Sequence, residues 1–326
     1  MGTNCCPSKD VNTTPKNKPE PHEPPSINPI VVSPNFFQID TLRGHDGKIT
    51  CIKELKNKNI ISGSNEGELK LWNLNKMMCE STIKMEGQIL CILEFEPNMI
   101  LLGKSTNDIE LWNINDILNS VKTHSFEGHE YWVIDLAKCD SRYFASASND
   151  GDIRIWDYYN KICLSIISNE NNINFLCLIT LKNGKLCSGD ADSSIKIWDW
   201  KNKKCEDTKK GHSNYVKCLC ELEEGCIASG SDDTTIMIWK KNEEPPYVLK
   251  QHTKAVRYIC QIKKYFIASA SFDHTVKIWN LYYKSCIQTL NGHYNFVTGV
   301  ILHSNGQLIS CSNDKTIILW MEGNAK

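Results

Sequence analysis

The sequence predicts an all-β fold, a seven-bladed β-propeller, and three observations carry that prediction. Seven tryptophans, Trp72, Trp112, Trp156, Trp198, Trp239, Trp279 and Trp320, recur at gaps of 40, 44, 42, 41, 40 and 41 residues. Each ends an alternating apolar stretch such as Ile236-Met237-Ile238-Trp239 or Val276-Lys277-Ile278-Trp279. A period of about 40–45 residues built from short strands is that of a radial propeller with four strands per blade. The third observation concerns the ends. The last tryptophan lies six residues from the C-terminus, too few for the seventh blade to build its outer strand there. The stretch Phe36-Phe37-Gln38-Ile39-Asp40-Thr41-Leu42, ahead of the first repeat, alternates like a strand.

The register within the repeats is tighter than the tryptophans alone. A histidine stands 27 residues before the tryptophan in five units, at His45, His129, His212, His252 and His293. An aspartate stands six before it at Asp150, Asp192, Asp233, Asp273 and Asp314, and a serine ten before it at Ser62, Ser146, Ser188, Ser229, Ser269 and Ser310. With Gly211-His212, Ser229-Gly230-Ser231 and Trp198-Asp199 as landmarks, the chain resembles the WD-repeat family from about Phe37 to Trp320. In that family the chain start supplies the missing outer strand, so the resemblance implies a ring closed by the N-terminal strand, which also removes two open sheet edges. The expected organisation is a disordered, proline-rich tail over 1–35 and one propeller over 36–326. At about 41 residues per blade there is no room for a second folded domain.

Serine, histidine and aspartate invite a catalytic reading. A working triad, however, occurs once and exposes its serine in a cleft, whereas these residue types recur in blade after blade. The resemblance implies a buried relay instead: indole to serine, serine to imidazole, imidazole to carboxylate, tolerable in a core because every member is satisfied. The relay is complete in His129/Ser146/Asp150/Trp156, His212/Ser229/Asp233/Trp239, His252/Ser269/Asp273/Trp279 and His293/Ser310/Asp314/Trp320. Elsewhere it decays. The first unit has Glu66 at the aspartate position, and the fourth has Asn171 at the histidine position. The second has Met85, Leu102 and Thr106 and keeps only Trp112, so packing alone is expected to hold that blade.

Thirty-seven basic and 38 acidic residues leave a net charge of −1, which gives no electrostatic case for a nucleic-acid partner. Arginines are confined to Arg43, Arg142, Arg154 and Arg257, which argues against an arginine-lined pocket for phosphorylated motifs. No apolar run of about 18 residues spans a membrane, and no secretory signal is present. Of the sixteen cysteines, eight share two repeat positions, Cys51, Cys91, Cys177 and Cys218 on one and Cys79, Cys163, Cys205 and Cys286 on another. Equivalent positions in different blades are poor disulfide partners, so these read as small buried hydrophobes in a reducing compartment. Cys218 and Cys220 lack a second ligand pair at zinc spacing, so no metal is expected, and no cofactor is implied.

The N-terminus reads differently. Gly2 in Met1-Gly2-Thr3-Asn4-Cys5-Cys6 resembles an N-myristoylation site, with Cys6 where serine or threonine is preferred, and Cys5 and Cys6 are placed for palmitoylation. One myristoyl chain anchors marginally; a second acyl chain makes the attachment stable. From Pro7 to Pro34 the chain carries eight of its 11 prolines, a semi-rigid tether that could span up to ~90 Å. It has no arginine-flanked P-x-x-P motif to make it an SH3 ligand.

In the resembled family the face bearing the histidine and aspartate loops recognises partners, through positions three and five past the histidine and one before the aspartate. On this chain those positions bring Trp132, Tyr215, Phe272 and Phe296 to one mouth, with Lys217, Arg257 and Asp232 among them. Aromatics around an arginine are the usual composition of a binding hot spot. The pair of phenylalanines that sandwiches an arginine in histone-tail readers is absent. The sequence therefore reads as a non-enzymatic protein-interaction scaffold, acylated and held at a cytoplasmic membrane surface. A soluble substrate receptor of a ubiquitin ligase is the alternative, though no F-box or RING-type segment supports it. A G-protein β-like subunit would carry a pairing helix where this tail is proline-rich.

Overall fold

The computed structural model describes residues 33–115, 120–169, 172–223, 225–240 and 243–323. Gly2, Cys5, Cys6, the proline-rich segment up to residue 32 and Asn171 lie outside them. The described residues form seven four-stranded antiparallel sheets and no α-helix. Six blades are consecutive in the chain, over 49–84, 89–126, 133–168, 175–210, 216–250 and 256–290. Their strands are five to eight residues long; the inner three of each blade carry most of the Ile, Val and Leu, whereas outer strands such as Lys204–Lys210 are polar and largely exposed.

The seventh blade is composite. Val297–Leu302, Leu308–Ser312 and Thr316–Glu322 come from the C-terminal end, and Phe36–Arg43 is the outer strand. It pairs antiparallel from Phe36↔Glu322 to Arg43↔Thr316, with a bulge between Gln38 and Asp40. The joint is fastened sideways as well. Gln288 of blade six donates from Nε2 to the Phe36 carbonyl at 2.6 Å and accepts from the Phe36 N–H at 2.8 Å. The inner strand of each blade packs against that of the next, and Ile49–Glu54 meets Val297–Leu302, which closes the circle.

The core lies in the wedges between blades. Between blades two and three, Phe95, Phe126, Phe144, Trp156 and Tyr158 form one buried cluster. Nearer the axis, inner strands pack by volume exchange. Cys51, Cys91, Cys177 and Cys218 each stand opposite a glycine of the second strand, Gly63, Gly103, Gly189 and Gly230. A Cβ added at Gly230 would lie 2.6 Å from the Cys218 sulfur and 2.6 Å from Val256 of the next blade, so only hydrogen fits there. Blade seven reverses the pair, with Gly299 opposite Cys311. Burial pushes the Cys51, Cys218 and Cys311 thiols up to about 12, which makes them unreactive packing groups. All fourteen described cysteines are free. In blade three the same position is Asp135, whose carboxylate accepts the Leu178 N–H of blade four at 2.8 Å; burial pushes it up to about 6.

Candidate functional site: the relays and the loop face

The loops joining outer to inner strands carry the histidines, and the turns joining second to third strands carry the aspartates. That turn is tight in all seven blades. The residue five before each tryptophan, Gly67, Asn107, Gly151, Ser193, Thr234, His274 or Lys315, has φ between 68° and 84°. This aims the preceding aspartate back at the histidine. In blade three, His129 lies 2.7 Å from Asp150 and 2.6 Å from the Ser146 hydroxyl, which accepts the Trp156 indole N–H at 2.8 Å. Blade five repeats this at 2.7, 2.7 and 2.8 Å for His212, Asp233, Ser229 and Trp239. In blade six all three distances among His252, Asp273, Ser269 and Trp279 are 2.7 Å. In blade seven they are 2.8, 2.8 and 2.9 Å for His293, Asp314, Ser310 and Trp320.

Burial alone would raise the Asp233 carboxyl. Hydrogen bonds from His212 and from the Thr235 hydroxyl and N–H outweigh it and hold the carboxyl well below the usual range. Asp273 and Asp314 are held down in the same way by His252 and His293, with Thr275 and Thr316. Ser146, Ser229, Ser269 and Ser310 are fully buried, so no substrate reaches their hydroxyls.

The decayed blades depart from the sequence reading. In blade one the partner of His45 is not Glu66 but Glu68, at 3.2 Å, on the third strand; its longer side chain reaches the site from two residues further on. His45 keeps its 2.6 Å contact to Ser62, which accepts from Trp72 at 2.8 Å. Blade two is not held by packing alone. Buried Lys104 pairs with buried Glu110 at 3.0 Å, and the other oxygen of Glu110 accepts the Trp112 indole N–H at 2.9 Å. Lys122 adds a third contact to Glu110 at 3.2 Å. In blade four, Trp198 still donates to Ser188 at 2.9 Å, and Lys196 takes the imidazole's place, 2.6 Å from Asp190 and 3.2 Å from Asp192. Asn169 completes that cluster, donating to Asp190 at 2.9 Å.

One backbone rule assembles the loop face. In every blade the carbonyl three past the histidine position accepts the N–H seven before the tryptophan: Tyr215 from Asp232 at 2.9 Å, Ala255 from Phe272 at 2.9 Å, and Phe296 from Asn313 at 2.9 Å. Side chains then gather on blades five to seven. Phe272 and Phe296 stack at 4.4 Å with 14° between their planes, half-buried rather than standing open. The Arg257 guanidinium lies 5.4 Å from the Phe272 ring, and Lys254 lies 5.4 Å from that of Phe296. Lys217 sits 5.1 Å over Tyr215 and 3.8 Å from Asp232, and burial followed by repulsion from Arg257 lowers its basicity. Tyr215 is 46% exposed. Trp132, 44% exposed on blade three, stands apart; among the described residues no ring contact joins it to the other six. The sequence reading missed Tyr294, 87% exposed beside His293, and His274, 5.7 Å from Phe296. Tyr294 could have been found as the aromatic directly after a relay histidine.

Among the described residues, no cluster of His, Cys, Asp and Glu could hold a metal ion, and no helix is long and apolar enough to cross a membrane. A DENN domain and WD repeat-containing protein, SCD1 of Arabidopsis thaliana, is 21% identical over 130 residues, which is 40% of this chain and 11% of that protein. The chain thus spans a small part of the length of that relative. The family model described as "WD domain, G-beta repeat" matches residues 36–73, 120–157, 161–199, 203–240, 243–280 and 284–321. The unmatched 74–119 holds most of blade two, where Lys104 and Glu110 replace the relay. With well over half of its residues matched, each match ending one residue past a repeat tryptophan, the chain belongs to the WD domain, G-beta repeat family.

Proposed function

We propose that this chain is a non-enzymatic scaffold that docks a partner protein on its loop face and is tethered to a cytoplasmic membrane surface by acylation at Gly2, Cys5 and Cys6. WD-repeat propellers generally bind other proteins, and the relays here brace such a platform rather than react. The observation that carries the reading is the aromatic–cationic cluster. The stacked Phe272 and Phe296 under Arg257, beside Tyr215, Lys217 and Asp232, combine rigid apolar area with oriented charge, the composition of an interface hot spot. Trp132 is a separate anchor on the same face. The tether rests on the sequence: a single acyl chain is marginal and two are stable.

Proximity labelling in cells with wild type, Gly2→Ala and Trp132→Ala/Tyr215→Ala proteins tests both halves. Gly2→Ala is expected to lose membrane neighbours, and the aromatic variant a small specific set. Unchanged neighbours in both variants would sink the proposal. Neighbours that include ubiquitin-ligase subunits, with no Gly2-dependent membrane fraction, would favour the soluble substrate receptor.

A further inference from the structure

Arg257 carries a charge that the fold half-buries and leaves unanswered. Among the described residues its guanidinium makes no hydrogen bond and no ion pair, and its Nε is buried without a partner. The residue is part exposed, so the outer end of the fork opens onto the mouth. The Phe272 ring holds it at 5.4 Å, and Phe272 in turn stacks on Phe296 at 4.4 Å. A ring face attracts a cation but does not neutralise it. The carboxylates of the same loops are already engaged. Asp232 is 3.8 Å from Lys217, and Asp273 and Asp314 turn inward to His252 and His293 at 2.7 and 2.8 Å. Burial and then the Arg257 charge lower the basicity of Lys217, which marks two cations held close with too little anion between them.

The repeat does not call for an arginine at this point. Five of the other blades fill the position five past the histidine with Thr50, Leu90, Ile134, Leu176 and Thr298, none of them charged. Elsewhere in the ring, Arg142 has Asp157 at 2.8 Å and Arg154 has Asp152 at 3.8 Å. A charge drawn out of water without a counter-ion costs stability. Arg257 therefore adds nothing that the ring needs for its own packing, and it faces the side where a partner would arrive.

We propose that Arg257 anchors a carboxylate of the docked partner, an aspartate or glutamate side chain in a segment whose neighbouring apolar group lies on the Phe272–Phe296 pair. The inference rests on the loop-face reading above and names what that face takes. One planar guanidinium matches one carboxylate, which it can hold through two parallel N–H donors. A phosphorylated side chain brings a charge of about −2 and three acceptor oxygens, more than a single arginine satisfies. Lys217, engaged by Asp232, is no second fork. Lys254, exposed and 5.4 Å from the Phe296 ring, adds attraction during approach rather than a fixed contact.

A random dodecapeptide library displayed on phage and selected against the immobilised full chain tests this. Enriched sequences are expected to carry an aspartate or glutamate beside an aromatic or aliphatic residue. Synthetic versions then enter a double-mutant cycle read by fluorescence anisotropy. Glutamine in place of the peptide's acidic residue, and Arg257→Gln in the protein, should each weaken binding about tenfold or more, and both together no more than either alone. Arg257→Glu should reverse the preference and take the peptide with lysine in that place, while melting temperatures show both variants folded. The peptide substitution keeps the test alive if a protein variant misfolds. No enrichment, enriched peptides without an acidic residue, additive losses in the cycle, or tighter binding when phosphoserine replaces the acidic residue would overturn the proposal. Acid-free peptides that lose binding to Phe272→Ala/Phe296→Ala would overturn it and leave loop-face docking standing. Peptides indifferent to that variant and to Trp132→Ala/Tyr215→Ala would overturn the loop-face reading as well.

Discussion

Ser229 shows what a single hydroxyl can settle. The Trp239 indole can only donate, so the serine proton is left for Nε2 of His212, and the imidazole must carry its own proton on Nδ1, facing Asp233. Removing the carboxylate leaves that buried N–H only the longer 3.3 Å contact to the Thr235 hydroxyl. Asp233→Ala should therefore cost about 1–3 kcal/mol. Thr106→Ala, at an exposed position whose hydroxyl bonds only neighbouring Asp108, should stay within about 0.5 kcal/mol. Urea unfolding of the two variants measures the difference, and equal midpoints would remove the relay from the account of stability. His45 gives a pH prediction. Burial pulls it from 6.5 down to about 4, outweighing the hydrogen bond to Glu68 that would raise it. The unfolded chain thus binds a proton that the folded chain refuses between those values. Stability from this group is full above about pH 6.5 and is lost as pH falls toward 4, by roughly 3 kcal/mol. His45→Gln should flatten the fall in unfolding free energy between pH 7 and 4.

Strands and turns were more legible than what lies between them. The tryptophan period located all seven third strands, because a strand ending in an indole must pack the same way in every wedge. The exchange of volume between inner and second strands was not legible, since it depends on which residues face each other across a bulge. That exchange can be tested directly. Gly230→Ala should destabilise by about 1–3 kcal/mol through overpacking against Cys218 and Val256. The exchanged pair Cys218→Gly/Gly230→Cys, the arrangement blade seven uses, should recover much of that loss in thermal melts. The substitutes for the relay were equally hidden. Glu68, Lys104 with Glu110, and Lys196 lie off the repeat's own positions, and only the fold shows that they reach the same place. On the loop face, register alone identified Tyr215, Lys217 and Asp232 as neighbours. It did not show that Phe272 and Phe296 would turn to each other, since that depends on the angle between blades.

The whole ring depends on eight residues far from their partners in the chain. Phe36–Arg43 is the outer strand of a blade whose other strands lie at the opposite end, and Gln288 locks it to blade six. A chain lacking residues 1–45 should melt cooperatively at a lower temperature and self-associate through the exposed edge of Thr316–Glu322. Size-exclusion chromatography and calorimetry would read this, and a monomer of unchanged stability would refute the role of the strand. Alternation marked the stretch as a strand and the family resemblance implied this closure; its side fastening through Gln288 was not legible, because an amide at that position has no distinctive signature.

The same joint sets a clock on biosynthesis. Arg43 and its partner Thr316 are 273 residues apart (316 minus 43). At about 5–20 residues per second, the first strand leaves the ribosome roughly 14–55 s before anything exists for it to pair with. Through that interval it presents Phe36, Phe37, Ile39 and Leu42 in an extended, adhesive stretch. Until its partner strand is made, this stretch is an unpaired edge open to mispairing with any other exposed strand.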